Sequence, residues 1–219
     1  MSAKANHDVR MQQYLDSLPA EGPKPRLLLH SCCAPCSTAV VERLAQKLDI
    51  TLFYYNPNID SAQEHERRAQ ELLRLAQAHG EAVIIPYAPE RFYEAVRGLE
   101  QAPEGGARCE RCFALRLREA ARYARAEGFD LFTTTLTISP MKNAALLNQL
   151  GEQIAAEEGA HFLNSDFKKR GGYLRSTQLS RDMGLYRQDY CGCVFSRLEK
   201  ERRQGAALEK DRPKENYAE

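Results

Sequence analysis

Five short apolar runs, each bounded by turn-forming residues, alternate with longer amphipathic stretches along this chain. The apolar runs predict strands at 26–29, 50–55, 82–85, 130–135 and 160–163. Between them, apolar residues recur at every third or fourth position, as on the buried face of a helix, and three such stretches end at Gly80, Gly128 and Gly159. This alternation predicts an α/β fold with a parallel sheet and helices on both faces.

The two ends of the chain depart from this alternation. Pro19, Gly22, Pro23 and Pro25 predict that residues 1–25 form a short helix, over about 9–18, and then a stiff linker. Residues 26–203 are then the catalytic α/β domain. A helix that starts near Val194 leads into a polar tail over 204–219, which we expect to fray.

The loops after the strands contain the unusual residues of this sequence. In an open parallel sheet the carboxyl ends of the strands share one edge, and ligands bind there. These loops are 31–37, 56–59, 135–142 and 164–172. Because the first of them holds three cysteines, we expect the functional site at this edge.

Composition narrows the class of protein further. No apolar run reaches the length of a membrane span, and the first ten residues are polar, so we expect a cytoplasmic protein without a membrane partner. Seven cysteines in such a protein indicate metal or redox chemistry rather than disulfides. The net charge is +1, but residues 166–203 hold ten Lys or Arg against five Asp or Glu. That excess fits a phosphate-bearing partner and fits equally a solvated helix with paired charges.

The cysteines fall into three groups and are the candidate metal ligands. The groups are Cys32, Cys33 and Cys36; Cys109 and Cys112; and Cys191 and Cys193. One structural zinc would take four thiolates and leave three thiols without a role, whereas two zinc sites remain an alternative. A 4Fe-4S cluster also takes four cysteines, which leaves three for a further iron. His30 lies beside the first group, and a satisfied side chain at a strand end is its favoured interpretation.

Seven motifs together resemble the QueH type of epoxyqueuosine reductase family. They are His30–Cys36, Tyr55–Ile59, Arg108–Cys112, Thr133–Leu136, Ser139–Lys142, Asp166–Lys169 and Tyr186–Cys193. The resemblance covers about 26–203 and implies a fold related to the adenine-nucleotide hydrolase-like (HUP/PP-loop) proteins. It implies that the partner is tRNA carrying epoxyqueuosine at the wobble position, whose epoxide is reduced to give queuosine without cobalamin. An electron donor that the sequence does not identify is a further expected partner.

The resemblance also implies the cofactors, a 4Fe-4S cluster and a neighbouring iron. We assign six cysteines to the cluster, and these six together with Cys36 to metal binding as a whole: Cys32, Cys33, Cys109, Cys112, Cys191 and Cys193. The sequence does not divide them between cluster and iron. Some members of the family carry an aspartate as iron ligand at position 36, where this chain has cysteine. We expect no use of ATP, because the 31–37 loop has no glycine with which to cradle phosphate.

Other polar residues on the same predicted edge are candidates for proton transfer and for RNA binding. Asp166, Asp189 and Tyr190 neighbour the metal-ligand or basic motifs and are candidate proton donors, with structural hydrogen bonding as the alternative. Four cations are candidate contacts for tRNA phosphates: Lys142, Lys168, Lys169 and Arg170. Tyr54, Tyr55 or Tyr173 would stack on an unpaired base if exposed, and would belong to the core if buried.

Two functions of other kinds remain open at this point. One is a non-catalytic zinc-binding adaptor for RNA or protein, which would be colourless. The other is a disulfide oxidoreductase that uses Cys109 and Cys112, which would leave the remaining five cysteines unexplained.

Overall fold

The computed structural model of the protein describes residues 6–210. Its strands are β1 Arg26–His30, β2 Asp49–Tyr54, β3 Glu81–Ile84 and β4 Leu131–Thr134. Its α-helices are α1 His7–Ser17, α2 Ala34–Leu44, α3 Ala62–His79, α4 Pro89–Ala95, α5 Ala107–Ala126, α6 Ala144–Glu158, α7 Gly172–Asp182 and α8 Val194–Lys210. Two single-turn 3-10 helices lie at Thr135–Ile138 and Lys169–Gly171.

The four strands form one parallel sheet in the order β3-β2-β1-β4. Alternate side chains of β1 enter two apolar layers: Leu27 and Leu29 pack with α1, α2 and α3, whereas Leu28 packs with α5 and α6. Apolar residues on both faces of a strand are typical of a sheet that is covered on both sides. The predicted α/β fold, with a parallel sheet between two layers of helices, is therefore confirmed.

The predicted fifth strand is wrong as a strand. Residues 160–163 form a single parallel bridge between Phe162 and Phe132, which lies beyond β4 at the edge of the sheet. The amide of Phe132 donates to His161 O (2.9 Å), and the amide of Leu163 donates to Phe132 O (2.9 Å). Gly159 caps α6 in the left-handed conformation just before this segment, and the Asn164 side chain binds back to α6 just after it. Too few residues remain between these two anchors for a longer ladder.

The helix after β1 begins earlier than the sequence pattern indicates. It starts at Ala34, with Pro35 in its first turn, a position where the missing proline N–H costs nothing. Cys36 and Ser37 therefore belong to the first turn of α2 and not to a loop. The exposed amides of that turn favour negative charge on nearby sulfur.

The helix predicted over about 9–18 is present as α1, and the C-terminal helix extends further than predicted. Met11 and Leu15 of α1 are buried in the same apolar layer as Leu27. Helix α8 continues to Lys210, so the first part of the predicted polar tail is helical, and residues 211–219 lie outside the described residues. Among the described helices, none combines the length and the apolar character that a membrane crossing requires.

Candidate metal centre

Cys32, Cys33 and Cys36 converge where β1 passes into α2. Their sulfur atoms all lie within 4.8 Å of one another, and the sulfurs of Cys32 and Cys33 are 3.9 Å apart. None of the three forms a disulfide. Three thiols at this separation, at the N-terminal end of a helix, form one face of a metal site. We call these three residues the CCxxC group.

The thiols of the CCxxC group do not titrate alike. The pKa of Cys32 is held well below its usual range because its sulfur accepts hydrogen bonds from the thiols of Cys33 and Cys36. Burial raises the pKa of Cys33 to about 12. The pKa of Cys36 is raised well above its usual range, first because its thiol donates to Cys32. Without a metal the group therefore carries its negative charge on Cys32, and a bound cation would displace the other two protons.

The remaining four cysteines gather beside the start of α5. Cys109 and Cys112 are on the first turns of that helix, and the Gly105 amide donates to the sulfur of Cys109 (3.2 Å). Burial, together with negative charge at Cys191 and Cys193 and against the opposing charge of Arg116, raises the pKa of Cys112 to about 12. This effect on the pKa indicates that the Cys109 and Cys112 pair lies close in space to the Cys191 and Cys193 pair, although the two pairs are distant in the sequence. We call these four residues the four-cysteine group.

The loop that carries Cys191 and Cys193 is held by residues that the sequence analysis did not identify. The buried guanidinium of Arg68 donates to the carbonyl of Cys191 (3.3 Å), and the amide of Asp60 donates to the carbonyl of Gly192 (2.9 Å). Gly192 has a φ of +119°, and a Cβ there would lie 2.9 Å from Arg68 Nη1. Only glycine fits this turn without displacement, so the middle residue of the Cys-Gly-Cys motif fixes how its two sulfurs are presented.

One cavity of about 690 Å³ brings both groups of cysteines to solvent. It is lined by Cys32 and Cys36 of the CCxxC group and by Cys191 of the four-cysteine group. Arg116 and Lys142 contribute positive charge to its wall. A cavity with thiols from both groups and positive charge in its wall suits a small substrate that gains negative charge during reaction.

Lys142 stays charged in this wall. Burial favours a lower pKa for its amine, but negative charge on the neighbouring cysteine sulfurs, that of Cys191 first, outweighs burial and raises the pKa. Arg116 lies one helical turn after Cys112 on α5 and was not identified from the sequence. Arg116 follows Cys112 by four residues and so lies on the same face of the helix. That spacing is the one sequence feature that could have identified it.

The three predicted proton donors are in different surroundings. Asp189 and Tyr190 line the cavity, whereas Asp166 is not among the lining residues and pairs with Lys168 (3.0 Å). Asp189 pairs with Lys200, which lowers its pKa. The Tyr190 hydroxyl donates to Asp60 (3.0 Å), and burial together with this bond raises its pKa. Their catalytic roles stay predictions.

The four residues predicted to bind tRNA phosphates also lie in different surroundings. Lys142 lines the cavity, Lys168 is engaged by Asp166, and Arg170 pairs with Asp8 of α1 (2.9 Å). Lys169 is exposed, and no ion pair involves it among the side chains described, those of residues 6–205. Phosphate binding by these four residues stays a prediction.

The tyrosines and His30 are placed clearly by their burial. Tyr54 and Tyr55 are in the core, whereas Tyr173 lines the cavity, is 37% exposed and lies beneath the guanidinium of Arg187 (5.5 Å). His30 is fully buried between Thr134 (2.8 Å) and the carbonyl of Tyr55 (3.3 Å), so its interpretation as a satisfied strand-end residue is confirmed. Burial lowers the pKa of His30 to about 3.

Comparison with known proteins places this site in a family. The family model described as Epoxyqueuosine reductase QueH matches residues 27–199. Proteins named Epoxyqueuosine reductase QueH are similar over most of their length. The one from Streptococcus pyogenes is 42% identical over 200 residues (88% of this chain, 78% of that protein). The one from Staphylococcus epidermidis is 39% identical over 204 residues (89% and 86%), and the one from Thermotoga maritima 37% over 178 residues (80% and 91%). This chain therefore belongs to the QueH family of epoxyqueuosine reductases.

Proposed function

We propose that this protein reduces the epoxide of epoxyqueuosine in tRNA to the alkene of queuosine. The reaction consumes two electrons and two protons and releases the epoxide oxygen as water. The observation that carries the proposal is the cavity into which thiols of both cysteine groups open beside Lys142 and Arg116. The names of the relatives supply the substrate class.

The cysteines suit two adjacent metal sites. All seven are free, and the soft thiolates of the four-cysteine group match the ligand number of a 4Fe-4S cluster. The CCxxC group then holds a further iron, so Cys32 and Cys33 are iron ligands in this proposal and not cluster ligands. When bound, the cluster supplies electrons one at a time and the iron acts as a Lewis acid.

Two buried guanidinium atoms support an anionic centre at this place. Arg68 Nη2 and Arg116 Nε are both buried, and neither has a hydrogen-bond partner among the described residues. Unsatisfied donors of buried cations are costly, so each favours a nearby anion. Thiolates and the sulfides of a cluster are such anions.

The residues of the cavity wall serve the reaction in two ways. Lys142 and Arg116 stabilise negative charge on the oxygen as the carbon–oxygen bonds break. Tyr190 keeps its proton because burial and the bond to Asp60 raise its pKa, so it is the better proton donor at neutral pH than Asp189, which Lys200 keeps ionised. We assign Asp166 no contact with substrate.

The tRNA approaches the mouth of the same cavity. Tyr173 offers an exposed ring for an unpaired base, and Arg187 above that ring adds a cation. Lys142 within the cavity and Lys168, which donates to the carbonyl of Lys142 (3.4 Å), provide charge for phosphates, and Lys169 and Arg170 follow Lys168 in the chain. No step requires ATP or cobalamin.

One cluster gives one electron and each epoxide needs two, so the proposed electron transfer is tested anaerobically with protein reduced by a measured, limiting amount of dithionite that supplies two electrons per epoxide. Addition of tRNA carrying epoxyqueuosine should return the visible spectrum to that of the oxidised iron–sulfur centre. The same tRNA with unmodified guanosine at the wobble position should leave the reduced spectrum unchanged. A colourless protein that contains zinc would contradict the proposal and favour the adaptor. So would a reduced centre whose spectrum does not change when the epoxide is added.

A further inference from the structure

Arg116 differs from the other buried arginines in its partners. Three arginines are buried in the described chain: Arg68, Arg108 and Arg116. Arg68 pairs with Glu64 (2.7 Å) and Arg108 with Glu199 (2.9 Å). Arg116 is 1% exposed, and within the side chains that the structure describes no carboxylate pairs with it. Its buried positive charge has no conventional counter-ion.

The hydrogen bonds of Arg116 do not neutralise it. Nη2 donates to the amide oxygen of Asn56 (2.5 Å), which is held in turn by its own bond to the carbonyl of Ser31 (3.0 Å). Nε is buried without a partner. The acidic residues on the cavity wall are Glu104 and Asp189, and neither forms an ion pair with Arg116. A neutral amide partner leaves the full charge in place, which is expensive in a protein interior.

Cysteines from both groups lie beside Arg116, together with a second cation, Lys142. Arg116 lies one turn after Cys112 on α5 and lines the same cavity as Cys32 and Cys191. The sulfurs of these cysteines are the groups beside Arg116 that become anions when they bind a metal.

We propose that Arg116 is the counter-ion of the metal centre and sets the reduction potential of its iron–sulfur cluster. This rests on the proposed function only in requiring that the cysteines bind such a cluster. A cluster bound by thiolates gains one negative charge when it is reduced. A fixed, buried cation beside it stabilises the reduced form, so it makes the potential less negative. Net charge and hydrogen bonding near the sulfurs are known determinants of such potentials.

The test is the midpoint potential of the cluster, measured by anaerobic redox titration in four variants. Arg116→Gln removes the charge, and Asn56→Asp leaves Arg116 in place but neutralises it with a carboxylate. Both should shift the potential to more negative values. Arg116→Lys keeps the charge and should stay close to the wild-type potential. Arg122→Gln is the matched control: it removes an exposed charge on the same helix, paired with Glu158 (3.0 Å), and should cause no shift.

The four variants separate an electrostatic role from a structural one. The requirement for a positive charge is also supported if Arg116→Gln and Asn56→Asp lose the cluster while Arg116→Lys retains it. An unchanged potential in loaded Arg116→Gln overturns the inference. Equal shifts or equal cluster loss in Arg116→Lys and Arg116→Gln overturn it as well, because a structural role needs the guanidinium itself. A wild-type protein that binds no cluster contradicts the proposed function instead.

Discussion

Replacement of Cys112 or Cys193 by Ala should remove both iron and acid-labile sulfide, whereas replacement of Cys33 should remove iron and leave most of the sulfide. The four-cysteine group has no spare ligand for a cluster, so each loss opens a corner of the site. In the proposed arrangement the CCxxC group holds the adjacent iron, a site without sulfide. In the first two variants we expect a loss of about four iron atoms per chain, the content of one cluster. Elemental analysis and sulfide assay of anaerobic protein measure both quantities.

The stability of each cysteine variant is the control for this experiment. Burial of Cys33 and Cys112 is nearly complete, so thermal unfolding of the metal-free variants should be compared with that of metal-free wild type. Equal loss of sulfide in all three variants would contradict the division into two sites. Unchanged iron and sulfide in all three would contradict the metal centre altogether.

Replacement of Gly192 by Ala should disorder the metal centre although no ligand is removed. The backbone there has a φ of +119°, and a side chain in such a conformation costs about 1–3 kcal/mol. The new Cβ would also lie 2.9 Å from Arg68 Nη1, which is fixed by Glu64 and cannot move without loss of its ion pair. The loop must therefore shift, and Cys191 and Cys193 shift with it. We expect loss of most of the cluster and of reductase activity.

Gly98→Ala is the matched control for Gly192→Ala. Gly98 also has a positive φ (+80°), but a Cβ there meets nothing within 4 Å. It should lower the melting temperature modestly and leave iron content unchanged. If Gly192→Ala and Gly98→Ala lower stability equally and both retain the cluster, then the close approach to Arg68 does not position the loop.

The sequence predicted the fold because the fold depends on local patterns. Apolar runs placed β1 to β4 within a few residues, and cysteine spacing drew attention to the thiols that the structure gathers into two groups. Local patterns did not predict a helix whose buried residues are polar. Helix α7 was missed because its buried positions are Ser176 and Ser180, which satisfy their hydroxyls against the helix backbone and give no apolar period.

The supports of the site could not be predicted from the sequence. Arg68 contacts the backbone of Cys191 across 123 residues of chain, and Asp60 reaches Tyr190 across 130. In the sequence each is one charged residue among many near a helix start. Arg116 was not identified from the sequence either. What distinguishes it is that, within the described residues, no carboxylate pairs with its buried charge. Long-range pairing of this kind follows from the packed fold and not from spacing.

Product analysis tests the central claim most directly. Reduced, anaerobic protein is incubated with tRNA carrying epoxyqueuosine, with neither ATP nor cobalamin, and the digested nucleosides are analysed by mass spectrometry. The predicted result is conversion of epoxyqueuosine to a nucleoside that has lost one oxygen and coincides with queuosine. Iron-loaded protein that binds this tRNA and leaves the epoxide intact, or that requires ATP or cobalamin for conversion, would contradict the account.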